Sequence, residues 1–247
     1  MKQLVLTTAI AALLSAPAFA QDDQLEDMSD PLAVYTQAGM GYTDKGLNIK
    51  VGRAYDTGIE NVAAMTVFEV KGFTGDTLGW RDEANDSIDE IRVRNFRADL
   101  TNGRGSQVDA SYNFNNEAGS VSYSFLQALP KMGPVQLFPL AGLGLAVAND
   151  VDRGYEIPGA FAVIGVFGKL EITDKIWLNY NPMYMSALSG SEVFKNMGFE
   201  GDSSVLMHEF AASYQFTPRF NMRYFANWSE NTDYNDGGHR IEFNYQF

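Results

Sequence analysis

Along most of this chain, apolar and polar residues alternate with a period of two. Val108, Ala110, Tyr112 and Phe114 alternate with Gln107, Asp109, Ser111 and Asn113, and Val121, Tyr123 and Phe125 alternate with Ser120, Ser122 and Ser124. Near the C-terminus, Phe220, Met222, Tyr224, Ala226 and Trp228 interleave with Asn221, Arg223 and Asn227, and Ile241, Phe243, Tyr245 and Phe247 with Arg240, Glu242, Asn244 and Gln246. A strand points successive side chains to opposite faces, so each run predicts a strand with one apolar and one polar side. Runs at 33–42, 46–54, 61–72, 176–187 and 204–216 extend the series, and two further strands are read at 135–147, apolar on both parities, and at 159–171, rich in small residues. One more, at 91–100, changes parity: Ile91 and Val93 share one side, and Phe96, Ala98 and Leu100 the other. A bulge near Asn95 would restore a single apolar face.

The connections divide into short turns at 101–105, 130–134, 173–175 and 217–219, and long acidic loops at 74–90, 188–203 and 230–238; 43–46 and 115–119 are short exceptions. Twelve strand-like runs with this rhythm of turns and loops predict an all-β antiparallel transmembrane barrel of about 12 strands, with 10 as the alternative. Phe216, Phe220, Trp228, Tyr184, Trp177 and Phe247 fall near strand ends, where aromatic girdles at two membrane interfaces would lie. In a secreted soluble β-sandwich the same rings would form the core, so that fold stays as a rival.

The ends of the chain sharpen the picture. Lys2, an apolar run from Leu4 to Leu14 and the small residues up to Ala20 predict a signal peptide over 1–20. Residues 21–32 hold Asp22, Asp23, Glu26, Asp27 and Asp30 with no base, and predict a solvated acidic periplasmic leader, with a plug inside the barrel as the alternative. The barrel itself is predicted over 33–247. At the far end the sequence stops on the outward aromatic Phe247, and in this the 239–247 strand resembles the C-terminal strand of bacterial outer-membrane β-barrels. That resemblance implies an outer-membrane location in a Gram-negative bacterium, both termini periplasmic, and Phe243, Tyr245 and Phe247 as the signal read by the barrel assembly machinery. It also implies contact with outer-membrane lipid and lipopolysaccharide.

Composition removes several functions. With no cysteine among 247 residues there is no disulfide, thiol nucleophile or Cys-based metal site. A net charge of −13 opposes nucleic-acid binding, which requires clustered Lys and Arg. Only two histidines are present. His208, in Met207-His208-Glu209, is similar at a glance to the histidine strands of outer-membrane lipid hydrolases, but Phe210 stands where those families carry a serine, and parity puts His208 on the apolar side. His239 near Asp233 and Asp236 could ligate a divalent cation, although the spacing matches no calcium loop. No cofactor or catalytic residue is therefore assigned.

What remains is a set of charges on the polar parity: Arg92, Arg94, Asp109, Glu209, Arg223, Arg240 and Glu242, with Lys50, Glu69, Lys71, Arg219 and, across the predicted bulge, Arg97 and Asp99. Two readings stay open. Such charges pair and fill a narrow lumen, or they line a conduit for small polar solutes. The expected function is accordingly a structural or narrow porin-like outer-membrane barrel, with a lipid-modifying hydrolase as the alternative.

Overall fold

The computed structural model describes residues 25–81 and 84–247. The predicted signal peptide and the first four leader residues lie outside that range. Among the described residues, thirteen strands form one antiparallel sheet. In chain order they are β1 (Gln37–Thr43), β2 (Gly46–Asp56), β3 (Val62–Phe73), β4 (Glu90–Asp99), β5 (Arg104–Asn113), β6 (Ala118–Gln127) and β7 (Val135–Asp150). Then come β8 (Gly154–Glu156), β9 (Gly159–Thr173), β10 (Ile176–Gly190), β11 (Ser204–Thr217), β12 (Phe220–Ser229) and β13 (Gly238–Gln246).

Each long strand pairs with its sequence neighbours, and β1 closes the ring on β13 from Gln37↔Gln246 to Thr43↔Arg240. The short β8 extends only the tip of β7, at Ala148 to Asp150, so the closed barrel has twelve strands, as the alternation predicted. Connections at 57–61, 100–103, 128–134, 174–175 and 218–219 share one end with the start of β1 and the end of β13, hereafter the short-turn end. The opposite end carries the longer loops, including a one-turn helix at Gly75–Leu78 and a helix at Glu192–Met197. The latter is capped by Ser191 Oγ accepting from the Phe194 amide at 3.1 Å.

Inside and outside follow the predicted parity on most strands. On β13, Glu242, Asn244 and Gln246 are buried within the ring, while Ile241, Phe243 and Tyr245 are exposed outside it. The inner wall is fitted by pairing small residues with large ones. Gly144 faces Phe161 in register and Gly165 faces Met183, so rings and thioethers lie flat over glycines on the adjacent strand. On β1, Gly39 and Gly41 make room for Asn244, Lys50 and Asn48.

Three expectations need correction. No bulge occurs near Asn95: β4 pairs with β3 and β5 without a register shift, so Phe96 and Ala98 point inward beside Arg92 and Arg94, and Asn95, Arg97 and Asp99 point outward. Apolar residues point inward there because that end of the lumen is a small apolar core of Leu126, Phe138 and Leu140, packed against Leu32 of the N-terminal segment. Trp177 belongs to this buried interior at 4% exposure rather than to a girdle. The leader, lastly, is not simply solvated. From Leu25 onward it folds into the short-turn mouth, with Met28 and Ala33 buried.

The seam between β13, β1 and β2 offers a direct test. A Cβ at Gly41 would meet the Ile241 carbonyl oxygen at 2.9 Å and the Asn48 amide oxygen closer still. Gly41→Val is therefore expected to destabilise the barrel by about 1–3 kcal/mol despite valine's preference for strands. Met40→Val, on the lipid side of the same strand, should stay within roughly 0.5 kcal/mol. Reversible unfolding in lipid vesicles measures both, and equal effects would contradict the assigned faces.

Candidate functional site: the charged lumen

The inward charges predicted from parity meet in one belt. On β3 to β5, Arg92 grips Asp109 with two nitrogens, the Nε–Oδ1 distance being 2.8 Å, and Gln107 donates to the same carboxylate at 3.0 Å. Arg94 pairs with Glu69, and Lys71 bridges Glu69 at 3.8 Å and Glu90 at 2.8 Å. Glu69 stands opposite Lys50 in the β2–β3 register, which carries the belt onto β2.

There Lys50 pairs with Glu242 over the glycines of β1, and Asn48 Nδ2 donates to the second Glu242 oxygen at 3.3 Å. Arg240 joins Glu242 at 3.5 Å to Glu209 at 3.9 Å, and Asn181 donates to Glu209 at 2.9 Å. Arg223 meets no carboxylate within 4.0 Å among the described residues. It donates instead to Asn179 Oδ1 at 2.8 Å and Ser213 Oγ at 3.0 Å. Its guanidinium and that of Arg240 lie 4.7 and 3.8 Å from the Phe225 ring centroid, where the negative ring face favours cations.

Depth varies along the belt. Glu242 and Glu69 side chains are 3% and 8% exposed, whereas Arg92, Arg94, Lys71 and Arg240 range from 21% to 32%. Glu69 and Glu242 thus lie against the wall, while Glu90 and Glu209, at 27% and 32%, are as open to the lumen as their cations. Taking such charges out of water costs several kcal/mol each, which close pairing and extra hydrogen bonds offset.

Arg97 and Asp99 are outside, as corrected above, and Arg219 sits in the β11–β12 turn region with Nη1 3.4 Å from the Gln246 carbonyl. Phe243, Tyr245 and Phe247 face outward as predicted. They continue a stacked belt in which Phe216–Phe220 and Phe220–Phe243 centroids are 5.4 and 6.0 Å apart.

Neither histidine builds a reactive site. His208 is on the outer wall, stacked between Tyr180 and Trp228, with Nδ1 2.8 Å from the Tyr180 hydroxyl. His239 spends both ring nitrogens, on the Tyr224 hydroxyl at 2.9 Å and the Tyr234 carbonyl at 3.0 Å, so it does not gather with Asp233 and Asp236. Among the described residues no three His, Asp or Glu are placed to hold a metal ion.

The two mouths differ. At the long-loop end a cavity of about 350 Å³ leads down to Lys71, Glu90 and Arg240. Beside it, Arg81 ties the 74–89 loop to Asp44 at 2.6 Å and to the Asp236 carbonyl at 2.6 Å. At the short-turn end the N-terminal segment crosses the opening. Glu26 exchanges hydrogen bonds with Gln246 at 3.2 and 3.0 Å, and Asp27 pairs with Lys169 at 3.1 Å. The Met28 sulfur lies 3.3 Å from the Gln215 amide nitrogen and 3.5 Å from that of Asn221. The apolar run Leu32-Ala33-Val34 next to the acids was the one sequence signal for this plug.

Removing Glu242 strips Lys50 and Arg240 of their shared counter-ion. Glu242→Ala is expected to cost roughly 3 kcal/mol of barrel stability, and Lys50→Met added to it should restore part of the loss, because no lysine is then left unpaired. Vesicle unfolding of the two single variants and the double tests the coupling, and additive costs would contradict it.

No protein-family model and no curated protein sequence matches the chain. Solved structures do match by shape. The NanC porin aligns at 8% identity and a TM-score of 0.52, over 86% of this chain and 98% of its own. The KdgM porin aligns at 8% and 0.46 over 87% and 99%, and the translocator domain of the autotransporter NalP from Neisseria meningitidis at 14% and 0.48 over 98% and 97%. By fold, this chain is a closed twelve-stranded antiparallel β-barrel, similar in shape to the NanC porin.

Proposed function

We propose that the protein is a narrow outer-membrane conduit for small polar solutes, whose short-turn mouth is held closed by its own N-terminal segment. The observation that carries this is the charged belt of the lumen, in which Arg92, Arg94, Lys71 and Arg240 keep 21% to 32% of their side-chain surface exposed. An inert, filled barrel would bury both partners of each pair, whereas here Lys71, Glu90 and Arg240 line the cavity at the long-loop mouth, and Arg223 meets no carboxylate within 4.0 Å among the described residues. Such a lining favours small anions even though the chain carries −13 overall. In this reading the termini and short turns are periplasmic, and the outer wall meets lipid and lipopolysaccharide. The aromatic C-terminal strand is the part presented to the assembly machinery. No catalytic step is assigned: His208 hydrogen-bonds a tyrosine on the lipid side, with no serine or carboxylate bonded to it among the described residues.

The plug carries its own pH dependence. Partial desolvation and the charges of Asp30 and Asp27 raise the Glu26 carboxyl above its usual value. Burial likewise raises Asp30, against hydrogen bonding from the Leu32 amide. Burial also works to raise Asp27, but hydrogen bonds from Ser29 and the Lys169 ammonium outweigh it and hold that group low. A carboxyl raised by docking favours the docked state once protonated, so closure strengthens as pH falls from neutral through the raised values of Glu26 and Asp30. The Asp27 contribution is lost only below the ordinary carboxylate range, where closure should weaken again.

Single-channel recording in planar bilayers tests the proposal. Deleting 25–32 is expected to raise the conductance and abolish the acid-induced fall. The reversal potential across a KCl gradient should show anion preference. Equal conductance of full-length and deleted proteins, or cation preference in both, would refute the gated conduit.

A further inference from the structure

The outer wall is apolar or aromatic at nearly every outward strand position, except along one strip of β2 to β5. There Arg53, Thr66, Asn95, Arg97 and Ser106 are outward neighbours: Arg53 pairs in register with Thr66, Thr66 with Asn95, and Arg97 with Ser106. Asn95 Nδ2 donates to the Tyr55 hydroxyl at 2.7 Å and to Thr66 Oγ1 at 2.9 Å, which leaves both hydroxyl protons available to an incoming acceptor. Arg53 and Arg97 are exposed, and among the described residues neither has a carboxylate within 4.0 Å. The nearby Asp99 is already occupied by the Thr101 amide at 2.9 Å and Asn102 Nδ2 at 2.8 Å.

Two unpaired arginines on a lipid-facing wall are costly near the bilayer midplane, by about 2–4 kcal/mol each, and nearly neutral at headgroup level. Arg97 stands two residues from the end of β4 at Asp99, and Arg53 three from the end of β2 at Asp56, both at the short-turn end. A tilted strand rises less than about 3.3 Å per residue along the membrane normal, so both long side chains reach the headgroups of that leaflet. The guanidinium fork matches the oxygens of a phosphate, and the two hydroxyls add donors between the forks. A two-fold contact with a second copy would set this cationic strip against itself, with no carboxylate to pair either arginine.

We infer that the Arg53–Thr66–Asn95–Arg97 strip binds the phosphodiester headgroup of an anionic phospholipid in the leaflet at the short-turn end. The inference rests on the membrane-barrel fold but not on conduction. The site is polar and cationic where the rest of the wall is apolar, so it selects by charge and not by acyl chain.

The test is native mass spectrometry of the full-length barrel in detergent with phosphatidylglycerol and phosphatidylcholine of identical chains. Each arginine near anionic lipid contributes enough for the folded protein to retain phosphatidylglycerol about tenfold over phosphatidylcholine. Arg53→Gln with Arg97→Gln should abolish the preference, and Lys175→Gln, which removes one positive charge in a turn at the same end, should leave it intact. Migration of unboiled samples on a gel shows whether each protein is a folded barrel, so loss of fold is separated from loss of lipid. If the double variant does not fold, the wild-type comparison and Arg97→Gln alone decide. No wild-type preference, an unchanged preference in the double variant, equal loss in Lys175→Gln, or a dimer dissociated by the arginine changes would each overturn the assignment.

Discussion

Closure of the sheet is the constraint on which everything else here depends. Hydrocarbon offers no hydrogen-bond partners, so every strand amide and carbonyl at membrane depth needs one within the protein, and an antiparallel sheet achieves this only by returning to its first strand. The β1–β13 seam does so with seven consecutive register pairs. Because Gln37 and Gln246 are so far apart in sequence, the last strand must be present before the ring can form. The aromatic face of β13 at the end of the chain is therefore a structural requirement as much as a surface for lipid.

With twelve strands the ring encloses more space than an eight-stranded barrel fills with side chains and less than a wide porin channel. The interior shows both regimes. Toward the short-turn end it is packed, with Phe138 fully buried and Leu32 of the N-terminal segment set among Leu126 and Leu140. Toward the long-loop end it is polar and ionic. The glycines of β1 link the two halves of the ionic belt, because Lys50 reaches Glu242 across Gly39 and Gly41, where that strand's inner face carries no side chain. Their small size is thus an electrostatic device.

The outer wall shows the same economy of type. Aromatic stacking gathers near the seam strands, both histidines are absorbed into tyrosine and tryptophan neighbours, and charge is confined to β2–β5 at one rim. Arg53 and Arg97 both stand within three residues of their strand ends at that rim.

The alternation of side chains and the rhythm of the connections by themselves pointed to about twelve strands, to the inward parity of Arg92, Arg94, Asp109, Glu209, Arg223, Arg240 and Glu242, and to the outward face of Phe243, Tyr245 and Phe247. These follow from a two-residue period that is local to each strand. The inward face of Phe96 and Ala98 was misread because an apolar residue was expected to point outward, whereas unbroken pairing of β4 with β3 and β5 turns them into the lumen. The plug itself was not legible locally, because its acidic composition reads as solvated. Its position is decided by Gln246, Lys169 and Asn221, and the Glu26–Gln246 bonds span 220 residues. Periodicity fixes which side of a strand a residue occupies. Only the closed ring decides whether that side holds water, an ion pair or the chain's own N-terminal segment, because those neighbours come from the far side of the barrel.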